Sequence, residues 1–205
     1  MIGRGIAALI AAATLAGVGC GPRYLGGARP IDPAQLAHEP GWIVAGPTPA
    51  LRQQRDDDCG PAALAMVAAR WRVTVSVEEL VALLPPPGPL GARLADLRDA
   101  ARARGLVAFA IAGDRATLVH ELRAGRPIIV GLRLPYSGGK ALPHYEVVIA
   151  ASLAAHQVVT IDPAVAGFRT RSWTALEAEW GPVGRPTLIV LGPAGDPPAA
   201  RTAAR

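Results

Sequence analysis

A chain of 205 residues, 51% apolar but only 4% aromatic, can build one core of Val, Leu, Ile and Ala; setting both ends aside leaves roughly 150 residues, the size of one domain. The net charge of +5 comes almost wholly from arginines scattered among acids, with Lys140 the only lysine. Neither the clustered basic face nor the aromatic platform of a nucleic-acid binder is present, so no nucleic-acid partner is expected.

The first element is Arg4 followed by GIAALIAAATLAGVG, an apolar run of 15 small residues ending at Cys20. It is shorter than the roughly 20 residues that span a bilayer as a helix, so residues 1–20 read as an export signal. A cysteine directly after the run resembles a bacterial lipoprotein signal, with Cys20 as the lipid acceptor and an N-terminal lipid as the link to a membrane. Gly17 stands where such signals usually carry Leu, and ordinary cleavage to a soluble periplasmic or secreted chain is the alternative. Gly21, not Asp, follows Cys20, which by the same resemblance implies sorting to the outer membrane, facing the periplasm. With Cys20 lipidated, Cys59 is the one thiol of the mature chain, and an exported protein with a single unpaired cysteine flags a reactive group. The competing reading is a buried cysteine acting as a small apolar side chain.

Residues 21–49 are rich in Gly and Pro without a sustained period and read as a tether, leading to a short strand at WIVAG, 42–46. A domain over 50–192 follows. CGPAALAMVAARW, 59–71, has Leu64, Val67, Ala68 and Trp71 at helical spacing, with Pro61 tolerated in the first turn, so Cys59 opens a helix. SVEELVALL is a second helix with a capping box, Ser76 and Glu79. The third, LGARLADLRDAARARG, presents Leu90, Leu94, Leu97 and Ala101 on one face before Gly105. LVAFAI predicts a strand, a helix capped by Asp114 comes next, and PIIVGLRL, 127–134, predicts a buried strand. HYEVVIAASL, 144–153, and QVVTIDP, 157–163, predict a hairpin. A helix over 172–180 and a strand over 186–191 close the pattern, and residues 193–205 read as a disordered tail. Helices first and a mainly antiparallel sheet after predict an α+β fold with the N-terminal helices packed on the sheet.

A thiol nucleophile needs a base and a third group to orient that base. His38 lies in the tether, His120 on a helix face and His156 in a hairpin link, all simplest as solvated side chains. His144 opens a strand after the Gly-rich loop PYSGGKALP, where a loop can face a cleft while the strand holds the ring. Antiparallel pairing returns Asp162, at the end of the next strand, towards the His144 end; a routine Asp-Pro turn is the equal competing reading of that residue. Asp56, Asp57 and Asp58 read as helix capping and solvation of the approach, partly offset by Arg55.

Together, Gln53 six residues before Cys59 in QQRDDDCGPAAL, then HYEVVIAAS and TIDP, resemble the bacteriocin-leader-processing, double-glycine cysteine peptidases of the papain-like superfamily, over residue 53 to about residue 191. The resemblance implies a papain-like fold and thiol peptidase chemistry with Cys59 as nucleophile, His144 as base, Asp162 as its orienting group and Gln53 as oxyanion donor. It implies a peptide or protein substrate and no cofactor or metal. Ala63 replaces a second cysteine common in that family, which suits an oxidising compartment. The best-known members are cytoplasmic amino-terminal domains of transporters, whereas this chain reads as exported, so cleavage after Gly-Gly is not carried over. A papain-like peptide-binding module and a thiol acyl transferase are the alternatives to an exported peptidase.

Overall fold

In a computed structural model, residues 22–38, 40–88 and 91–193 are described. The expected signal with Cys20, most of the expected tail, and Leu90 lie outside them. Eight strands, β1 (Arg29–Pro30), β2 (Trp42–Val44), β3 (Leu106–Ala112), β4 (Ile128–Pro135), β5 (Ala141–Ser152), β6 (Gln157–Asp162), β7 (Gly167–Ser172) and β8 (Pro186–Pro193), form one sheet. Its order is β1-β7-β6-β5-β4-β8-β3, with β2 paired to the C-terminal part of β5, and every pairing is antiparallel.

Helices cover both faces. α1 (Ala34–His38), α2 (Cys59–Arg70), α3 (Val77–Leu83) and α4 (Leu94–Ala103) belong to one side, and α5 (Arg115–Arg123) and α6 (Trp173–Trp180) to the other. This is the α+β arrangement expected, with the second helical layer added. Burial on both faces explains the unbroken apolar run of β4: Ile129 joins the core under α2, while Ile128, Val130 and Leu132 join the core under α5 and α6.

The sequence makes α2 the central helix. It is buried from Cys59 to Ala68, and its alanines let its backbone sit close to the sheet. At Gly60 a Cβ would lie 3.1 Å from Leu97 Cδ1 and 3.2 Å from Tyr145 Cδ2, so the glycine after Cys59 brings the start of the helix down onto β5. Ser76 and Glu79 form the expected capping box, and the Asp114 carboxylate accepts the Thr117 N–H.

Three expectations are corrected. The third helix begins at Leu94, because Gly91 takes φ +77° and bridges to Gly88 just ahead of it. Strand β7 was not anticipated: the chain turns after Asp162 and returns through GFRTRS, whose two arginines mask its alternation. The segment expected as a tether, 21–49, carries β1, α1 and β2, and Leu36 is in the core. Its described residues, 22–38 and 40–49, contribute to the folded body.

Candidate active site

Cys59 is the first residue of α2, where helix geometry leaves the backbone N–H without an intrahelical acceptor. The residue is 6% exposed and stands at the border of two environments, packed into the core on one side and lining a cleft of about 590 Å³ on the other. The same cleft is lined by Gln53, His144 and Asp162, so the fold brings the four candidate residues together. A second cavity of about 680 Å³ beside α6 is lined by Arg115, Trp173 and Trp180 and contains neither thiol nor imidazole. Size alone therefore does not mark the reactive site.

His144 is the fourth residue of β5, not its opening residue, and pairs with Leu132. The strand begins earlier because β4 and β5 continue as a hairpin out to a turn over Ser137–Gly139. Pairing with β4 thus fixes the backbone that carries the imidazole. Its Nε2 lies 2.8 Å from Asp162 Oδ1, leaving Nδ1 for the thiol. Burial pushes the imidazole towards its neutral form; the hydrogen bonds to Asp162 and Cys59, with the negative charges of Cys59 and Glu146, overcome this and raise it from 6.5 to about 10. The site favours an imidazolium beside Cys59.

Asp162 is fully engaged. Oδ1 also accepts the Ala164 N–H at 2.9 Å, and Oδ2 accepts Arg169 Nε at 2.6 Å. Burial pushes the carboxyl up, but the His144 hydrogen bond and charge, Arg169 and the Ala164 N–H together hold it well below the usual carboxylate range. The residue both ends its strand and holds the ring, so the turn and the site are one feature.

The Gln53 N–H donates to Pro163 O at 2.9 Å, which ties the loop before α2 to the end of β6. Its side-chain Nε2 donates to Arg55 O at 2.9 Å, and that carbonyl sets which way the amide faces; Oε1 is buried without a partner. Gln54 turns the other way, onto Glu78 of α3. Asp58 occupies the N-cap position but does not cap α2: its carboxylate turns back to the Arg55 N–H at 3.2 Å and guanidinium at 3.1 Å. The Cys59 N–H therefore has no side-chain cap competing for it on the cleft side. Arg55 also pairs with Asp57 at 3.6 Å, so the aspartate run is partly neutralised, as its position suggested.

Sequence reasoning missed the charges behind the pair. Arg171, fully buried, bridges Glu146 and Glu179, and Thr160 Oγ1 donates to Glu146 at 2.5 Å. Among the described residues, His144, Glu146 and Asp162 are the one group with the composition of a cation site. Arg169 and Arg171 already neutralise the carboxylates, so the group suits an ion-pair network and not a divalent cation. His120 and His156 are exposed and outside the cleft lining. His38 lies in α1.

A thiol at a helix N-terminus, an imidazole on the central sheet and a carboxylate on the neighbouring strand define a papain-like cysteine peptidase. The sequence profile of the peptidase C39 family matches residues 48–183, and the chain belongs to that family, whose solved members include double-glycine peptidase domains. The peptidase domain of Streptococcus ComA, a bi-functional ABC transporter involved in a quorum-sensing pathway, is similar at 27% identity and a TM-score of 0.55, over 68% of this chain and 95% of that one. A double-glycine-motif protease from an AMS/PCAT transporter, solved with the leader peptide, aligns at 21% identity and TM-score 0.56 over 72% and 93% of the two chains. A C39-like peptidase from Bacillus anthracis aligns at 15% identity and TM-score 0.60 over 73% and 96%. The last two likenesses speak to fold alone. Comparison with curated proteins finds no match.

Proposed function

We propose that this cysteine peptidase is exported and cleaves a peptide through a thioester at Cys59. The observation that carries the reading is the Cys59–His144–Asp162 arrangement on one wall of an open cleft. The Cys59 thiolate adds to the scissile carbonyl, His144 gives its proton to the leaving amine, and water deprotonated by His144 then hydrolyses the thioester. The Gln53 amide and the Cys59 N–H are the oxyanion donors. Leu142 and Val165, both strongly exposed on the cleft lining, suit a peptide with apolar side chains near the cut. The signal-like run supports export, and Cys20 supports a lipid anchor in the cell envelope, facing the periplasm.

An electrophilic peptide probe, and a peptide ester turned over with and without a competing amine, test the chemistry. Labelling at Cys59, lost in Cys59→Ala and slowed in His144→Ala, is expected, with hydrolysis outpacing amide formation. A Cys59 that reacts only after unfolding would overturn the peptidase reading, and amide formation outpacing hydrolysis would make the protein an acyl transferase. Intact mass and detergent partitioning of the exported chain test the lipid: an unmodified, soluble chain starting elsewhere would remove it.

A further inference from the structure

Residues 22–31 lie outside the family match at 48–183, yet they touch the cleft wall and the charges behind it. The Leu25 N–H donates to Pro135 O at 2.9 Å, the Ser137 N–H to Arg23 O at 2.8 Å, and the Arg23 N–H to Ser137 Oγ at 2.9 Å. Tyr24 thereby bridges Tyr136, a cleft-lining residue, and their rings meet edge to face at 5.7 Å. Further on, β1 pairs with β7, the strand of Arg169 and Arg171. The Tyr24 hydroxyl donates to Glu179 and accepts the Ala28 N–H at 3.2 Å. Glycine is required where the chain passes beneath it: a Cβ at Gly26 would sit 2.0 Å from Glu179 Oε1 and 2.1 Å from the Tyr24 hydroxyl oxygen.

From Glu179 the contacts run inward. Glu179 accepts from Arg171, which also donates to Glu146 and, at 3.2 Å, to Thr160 Oγ1. Polar side-chain atoms of Glu146, Asp162 and His144 all lie within 4.8 Å of one another. We propose that residues 22–31 are a strap on the active site and that Tyr24 is a positioning residue, keeping Arg171 shared between Glu179 and Glu146 and so setting the charge that faces His144. This rests on the peptidase reading only in making His144 the base of the reaction.

Two carboxylates compete for one guanidinium, and the Tyr24 hydroxyl offsets part of the Glu179 charge. Without that hydroxyl, Glu179 draws Arg171 away from Glu146, the field at His144 becomes more negative, and the imidazolium is favoured. With Glu179 neutral, Arg171 turns wholly to Glu146 and the shift reverses. The other titratable groups facing His144 are Cys59 from α2 and Asp162 from β6, with Arg169 of β7 behind Asp162 and Tyr136 beyond the end of β4. Both substitutions leave all of these in place.

The test is an NMR titration of the His144 ring in the full chain, alongside the pH dependence of Cys59 alkylation by iodoacetamide. Tyr24→Phe should raise the His144 midpoint by about half a pH unit and Glu179→Gln should lower it by about as much, the alkaline limb of alkylation moving in step. Unmoved midpoints, or a shift opposite to the one given for either variant, in folded proteins would overturn the proposal. If Tyr24→Phe does not fold, Glu179→Gln decides alone: a fall supports the strap, a rise or no change overturns it. The midpoint is read whether or not any peptide is cleaved. Opposed shifts in a chain without peptidase activity keep the strap and remove the peptidase reading, and cleavage with unmoved midpoints does the reverse.

Discussion

At Gln53 one backbone bond to Pro163 and one side-chain bond to Arg55 decide what the residue can do, because they place its amide on the cleft while Gln54 leaves for Glu78. Gln53→Ala should lower acylation by about a hundredfold or more, as expected for loss of one oxyanion donor, with Cys59 still open to a small alkylating agent; Gln54→Ala should change little. Single-turnover rates on a peptide ester would measure both, and equal losses would remove Gln53 from that role. Asp162 holds His144 through the 2.8 Å bond to Nε2. Its negative charge favours the imidazolium, so Asp162→Asn should lower the His144 midpoint from about 10 by about 1–3 pH units, and a pH–rate profile would show the alkaline limb moving down. The grouping of Cys59, His144, Asp162 and Gln53 on one cleft was legible in the sequence because short motifs carry them: Gln53 and Cys59 lead into α2, His144 stands early in β5 and Asp162 ends β6. Arg169, Glu146, Arg171 and Glu179 were not, because a charge inside an ion-pair network is identified only by its partners, and these are set by the pairing of β5, β6 and β7 and by the packing of α6.

Among elements, those with local signals were readable: the Ser76 capping box, the Asp114 cap and the apolar run of β4 each announce themselves within a few residues. Ser76→Ala should cost about 1 kcal/mol, measured as a shift in denaturant midpoint at constant slope. Strand β7 was illegible for a physical reason. Its Arg171 is 2% exposed, and an alternation that places arginine inside cannot be told from a solvated turn until Glu146 and Glu179 are known to wait there. Arg171→Met should destabilise by about 3–5 kcal/mol, since it leaves two carboxylates buried without their cation. A much smaller loss, with cooperative unfolding kept, would mean that the pair takes up protons at little cost.

For the whole molecule, the coupled pair makes stability depend on pH in a direction that follows from its two shifts. His144 is raised from 6.5 to about 10, so its contribution is complete below about pH 6.5 and is lost as pH climbs through about 10. Asp162 is lowered from 3.8, so its contribution is complete above about pH 4 and is lost on acidification. Urea unfolding should therefore find the largest difference between the parent and Asp162→Asn at about pH 4–6.5, narrowing on either side. The N-terminal segment has a different reach. Tyr24 is fastened to the cleft wall, and only four residue steps separate it from Cys20. An extended chain covers at most about 3.3–3.6 Å per residue, so an acyl chain on Cys20 would hold Tyr24, and with it the cleft wall at Tyr136, within about 14 Å of the lipid headgroups. So anchored, the enzyme would work as if on a short leash, and peptides emerging from or lying along the bilayer would be within its reach.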